Sequence, residues 1–170
     1  MPKLNRADWR FPQAQRGWLG LALFILLLDL ITKAWVSQAL VYGERNPILP
    51  VLDLILLHNP GAAFSFLAGA GGWQRWFFIG IGALALGVIW VWLNRLPARD
   101  HLSAAGLTLI LGGALGNVID RVVHGYVVDF LAFHWNFTYF PAFNIADVGI
   151  TLGAIALIWR SVFPYPETSH

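Results

Sequence analysis

Four apolar runs, each long enough to cross a bilayer as a helix and separated by polar or proline-rich stretches, restrict this chain to a membrane fold. They cover about residues 17–36, 73–93, 102–119 and 143–162. A hydrocarbon layer about 30 Å thick takes about 20 apolar residues of helix, and a helix satisfies its own backbone polar groups there. Charged side chains make up only 12% of the 170 residues, against roughly 25% in a soluble domain. The expected fold class is an all-α membrane protein with four transmembrane helices, a single integral membrane domain over 1–170.

Charge and cysteine usage exclude several functions. The net charge is +2 and the basic residues are spread along the chain, which excludes nucleic acid as a partner. With no cysteine there is no disulfide, thiol nucleophile or Cys-ligated metal. His124 and His134 have no His-Glu-x-x-His or comparable cluster beside them, so neither a metal nor another cofactor is expected.

Lys3, Arg6, Arg10 and Arg16 precede the first run and read as a basic cytoplasmic lead. Leu19 to Leu28 would also serve as the core of a secretory signal peptide, but the length of the run and the spans behind it favour a retained helix. Within it Asp29 and Lys33 are spaced i, i+4, the pattern of a structural ion pair near the outer helix end with Lys33 snorkelling to the interface. From Leu40 to Leu67, Pro47, Pro50 and Pro60 break a short apolar run containing Asp53, and extended structure outside the membrane is expected. Asn59-Pro60-Gly61 suits a tight turn. The small residues at Ala62 to Phe66 read either as a strand edge for a peptide or as a connecting loop. The second run is scaffold. In the third, Gly112 and Gly116 form a small-x-x-x-small face for close helix packing. Asn117, Asp120 and Arg121 project from one face, and Asp120, with Arg121 beside it, reads as an ionised structural partner.

An even number of spans places both termini on one side. With Lys3, Arg6, Arg10, Arg16, Arg95, Arg99 and Arg160 on that side and Lys33, Arg45, Arg75 and Arg121 on the other, the positive-inside rule makes it the cytoplasm. Asp129 follows the third span and Asp147 opens the fourth, so both lie at the outer boundary and can meet. Two adjacent carboxylates share a proton, giving an acid and a base together at neutral pH. Asp129, flanked by Val127, Val128 and Phe130, is a better partner for Asp147 than Asp120 is. Peptide hydrolysis and a proton relay in a small transporter both fit such a pair. A relay needs a path to the other face, and the carboxylates cluster toward one.

Five motifs occur in order: Asp29-Leu-Ile-Thr-Lys33, Asn59-Pro-Gly-Ala-Ala-Phe64, Gly113-Ala-Leu-Gly-Asn117-Val-Ile-Asp120-Arg121, Val128-Asp129-Phe130 and Phe143-Asn144-Ile-Ala-Asp147. Together, over about Gly17 to Arg160, they closely resemble bacterial lipoprotein signal peptidase (signal peptidase II). The resemblance implies an intramembrane aspartic endopeptidase that removes signal peptides from diacylglyceryl-modified prolipoproteins, cutting before the lipid-bearing cysteine. Asp129 and Asp147 match the family's catalytic pair. Asn59, Gly61, Asn117, Arg121 and Asn144 match positions lining its active site, and Asp29, Lys33 and Asp120 match motif positions of structural character. The implied fold adds a small extracytoplasmic β-sheet cradle after the first span and an interfacial helical loop near Asp129. The implied setting is the bacterial inner membrane, among its lipids, as a monomer without a cofactor.

Overall fold

The computed structural model describes residues 16–61, 71–136 and 138–164. Four helices, α1 (Arg16–Ala39), α2 (Gln74–Arg95), α3 (His101–Val123) and α4 (Ile145–Val162), are each long and apolar enough to cross a membrane. Four strands, β1 (Arg45–Leu49), β2 (Leu52–Asn59), β3 (Val127–Trp135) and β4 (Thr138–Tyr139), form an antiparallel sheet in the order β1-β2-β3-β4. The basic lead, the Ala62 to Phe66 stretch and most of the C-terminal tail lie outside the described residues.

The helix α3 is central because its sequence lets neighbours approach closely. It packs on α1, α2 and α4. A Cβ built on Gly112 would stand 2.5 Å from the Ala22 carbonyl oxygen of α1, and one on Gly106 would stand 2.9 Å from the Gly153 carbonyl oxygen of α4. The small-residue face read from Gly112 and Gly116 therefore seats α1, while Gly106 and Gly113 seat α4. Leu93, Leu107, Leu111 and Ala22 fill the apolar centre between these helices. Large side chains such as Phe24, Leu84, Trp92 and Ile158 face outward, as expected where the surroundings are as apolar as the core.

The sheet sits at the end of the bundle where α1 and α3 finish and α2 and α4 begin. Val36 of α1 packs with Leu56, Val128 and Phe130, which ties the sheet to that end. The helix α3 stops at Gly125, whose φ of +86° lets its N–H reach back to the Arg121 carbonyl at 3.1 Å. Beyond it the chain becomes β3. Where a helical loop is expected near Asp129, the structure has a strand, because Val127 to Phe133 pair with Leu52 to Asn59. Those β-branched and aromatic residues suit a ladder, and a helix there would leave the backbone of β2 unpaired on that side.

Candidate active site

The site is built from the ends of elements. Asp129 lies in β3 opposite Leu57, and Asn59 ends β2 opposite Val127. Asn144 is the N-cap of α4. Its side chain accepts from the Asp147 N–H at 3.0 Å, and Asp147 Oδ2 accepts from the Asn144 N–H at 3.3 Å, a reciprocal capping box. The cap is pinned to β3, since the Phe143 carbonyl accepts from the N–H groups of Phe130 and Leu131.

Three amides hold the two carboxylates. Asn144 Nδ2 donates to Asp129 Oδ1 at 2.7 Å and to the Val128 carbonyl at 3.2 Å. Asn59 Nδ2 donates to Asp129 Oδ2 at 3.0 Å, and Asn117 Nδ2 to Asp147 Oδ1 at 2.8 Å. Asn144 Nδ2 also lies 3.3 Å from Asn117 Oδ1, which closes a chain from Asp129 to Asp147. Each carboxylate oxygen accepts one donor and keeps a further lone pair free for a proton or for substrate. The two aspartates line one cavity of about 360 Å³ with Asn59, Asn117 and Arg121.

Around this pair the other charges are already engaged. The Lys33 ammonium meets Asp29 Oδ2 at 2.7 Å, Asp120 Oδ2 at 2.9 Å and Asn117 Oδ1 at 3.0 Å. It is 3% exposed, so it does not snorkel: three N–H bonds with three oxygen partners inside the bundle keep it there. Asp29 Oδ1 accepts from the Ala146 N–H at 2.8 Å, and Asp120 Oδ2 from the Val128 N–H at 3.1 Å. The cation serving Asp120 is thus Lys33 and not its sequence neighbour Arg121. Arg121 donates instead to the Gly61 carbonyl at 2.8 Å and to the Asn117 carbonyl at 3.2 Å, one turn back on its own helix. Gly61 N–H in turn donates to Asn59 Oδ1 at 3.1 Å. Among the described residues no cation contacts Asp129 or Asp147.

With burial as the main cause and the Asp147 charge adding to it, the Asp129 carboxyl is pushed up to about 7, against the opposing pull of the Asn59 and Asn144 donors. That is near the value a group needs to exchange a proton at neutral pH. All the site residues read from sequence meet here: Asp129 and Asp147 at the cavity, Asn59, Gly61, Asn117, Arg121 and Asn144 around them, and Asp29, Lys33 and Asp120 one layer deeper. Among the described residues no group of His, Asp and Glu side chains is arranged to hold a metal ion. The sequence reading missed the cluster of Arg45, Asp53 and His134 on the sheet. Asp53 meets Arg45 Nη1 and His134 Nε2, each at 3.3 Å, and its burial within an apolar run was the available signal.

A polytopic membrane protein with a carboxylate pair lining a cavity between helices and sheet is the class these features define. The family model for signal peptidase (SPase) II matches residues 21–163. A lipoprotein signal peptidase of Ralstonia nicotianae is 55% identical over 141 residues, 83% of this chain and 81% of that protein. One of Vibrio cholerae is 48% identical over 157 residues, 91% of this chain and 92% of that protein. A bacterial membrane enzyme solved by the in meso method superposes with a TM-score of 0.79 at 28% identity, covering 91% of this chain and 94% of the other. This chain belongs to the signal peptidase II family, a family of proteases.

Proposed function

We propose that this protein is an intramembrane aspartic endopeptidase that cleaves diacylglyceryl-modified prolipoproteins before the lipid-bearing cysteine, with Asp129 and Asp147 as its catalytic pair. The observation that carries the reading is the placement of two carboxylates on one cavity, linked through Asn144 and Asn117 and, among the described residues, contacted by no cation. A pair so placed shares a proton at neutral pH. The ionised member takes a proton from water as it attacks the scissile carbonyl. The protonated member hydrogen-bonds the carbonyl oxygen and later protonates the leaving amine. The two roles are assigned to the dyad as a whole.

The surrounding residues fit this chemistry. Asn59, Asn117 and Asn144 orient the carboxylates, Arg121 secures the Gly61 turn, and Lys33 bridges Asp29 and Asp120 beneath the cavity. The protein sits as a monomeric single domain in the bacterial inner membrane, in contact with its lipids, with both termini cytoplasmic and the site toward the extracytoplasmic face. The basic residues Arg95, Arg99 and Arg160 at the opposite end support that orientation.

The test is cleavage by the purified protein in detergent of a diacylglyceryl-modified prolipoprotein beside its unlipidated precursor. Cleavage of the lipidated precursor alone is expected. Equal cleavage of both would remove the lipid from the specificity, and cleavage of neither by folded protein would refute the activity.

A further inference from the structure

Two cavities meet at Asp129. The one of about 360 Å³ continues along α4 past Phe143, Ile150 and Thr151. The other, about 530 Å³, shares Asn59, Asp129, Pro141 and Ala142 with it but runs over the sheet, between Tyr42 and His58 on one side and Tyr139 and Phe140 on the other. A polypeptide cut at Asp129 has chain on both sides of the scissile bond. Its signal segment is apolar and belongs along the helices, so the cavity over the sheet is left for the segment that follows the cut.

The two walls of that second cavity are held very differently. His58 is stacked on Tyr126 with ring centres 4.0 Å apart and has Tyr42 at 5.0 Å, a layered and well-supported side. Tyr139 belongs to β4, a two-residue strand at the sheet edge, and is 49% exposed. It is secured by the charge cluster that catalysis leaves unused. The Arg45 guanidinium lies 3.9 Å over the Tyr139 ring. Asp53, itself 5% exposed, takes Arg45 Nη1 on one oxygen and His134 Nε2 on the other. The His134 ring is 5.5 Å from that of Tyr139. Each of the four strands thus supplies one side chain to a latch that fixes one aromatic wall.

We propose that this cavity is the subsite for the extended residues following the scissile bond, with Tyr139 its specificity-determining wall and Arg45 a positioning residue that acts through Tyr139. The proposal rests on the endopeptidase reading above. An open groove lined by tyrosine, histidine and phenylalanine takes an extended peptide by ring contact and leaves its side chains largely free, so it recognises chain length more than sequence.

The experiment uses two synthetic substrates with the same signal segment and the same diacylglyceryl cysteine, one ending as an amide at that cysteine and one extended by four further residues. For the full-length wild type, kcat/KM favours the extended substrate about tenfold, the scale of losing one or two aromatic contacts, and the difference lies in KM. In Tyr139→Ala and in Arg45→Ala the ratio of extended to short falls toward one. In Tyr139→Phe, which keeps the ring under Arg45, the ratio is retained. A merely structural role would lower both substrates together and leave the ratio intact, and that result overturns the proposal. Equal use of both substrates by the wild type overturns the subsite while the activity stands. Cleavage of neither overturns both.

Discussion

Lys33 has three N–H bonds and three oxygen partners, and two of those partners are the buried carboxylates Asp29 and Asp120. Lys33→Met leaves both acids without their cation, and breaking a buried pair in this way costs about 3–5 kcal/mol. The expected outcome is a large drop in the unfolding temperature in detergent. Asp129 gives a second prediction. Its carboxyl is raised to about 7, above the ordinary 3.8, chiefly by burial. The proton on Asp129 is therefore lost as pH rises through about 7, and kcat/KM should fall on that alkaline side. The stability it contributes has the same sign: present below the ordinary carboxylate range, it is lost as pH rises toward 7. At this scale the sequence was informative about identity and less so about partners. Adjacency pointed to Arg121 as the cation for Asp120, whereas the structure uses Lys33 from another helix, a contact 87 positions away in sequence that no local pattern encodes.

Helix contacts make predictions that separate glycines by what surrounds them. Gly112 has the Ala22 carbonyl oxygen 2.5 Å from where a Cβ would stand, and backbone cannot swing aside. Gly87 of α2 has nothing within 4 Å. Gly112→Ala should lower the unfolding temperature, while Gly87→Ala should leave it unchanged or raise it, since alanine gains up to about 1 kcal/mol of helix propensity. The close approach at Gly112 was legible from its spacing to Gly116. The strand β3 was not: Val127 to Phe133 become a strand because β2, about 70 residues earlier, offers a ladder to join. The Asn144-x-x-Asp147 spacing was visible as a motif, and its second role as the capping box that starts α4 was there to be read from the same four residues.

On the scale of the whole molecule, the four spans could be read because length and apolarity are properties of the segments themselves. The sheet between helices, and the latch of Arg45, Asp53, His134 and Tyr139 across it, depend on long-range pairing. The orientation has a direct test, since the chain contains no cysteine. Glu44 and Arg99 are exposed at opposite ends of the bundle. In intact cells stripped only of their outer barrier, Glu44→Cys should react with a membrane-impermeant maleimide and Arg99→Cys should not; the reverse pattern inverts the topology. On the proposed reading Asp129 and Asp147 carry the chemistry, and Asp120 belongs to the buried network with Lys33. The most direct measurement is turnover of a diacylglyceryl-modified prolipoprotein by Asp129→Asn and Asp120→Asn, each shown to be folded and compared with wild type at equal protein. The account predicts no turnover in Asp129→Asn, and in Asp120→Asn a lowered unfolding temperature with turnover retained in the folded fraction. Full loss of turnover in well-folded Asp120→Asn, with activity surviving in Asp129→Asn, would contradict it.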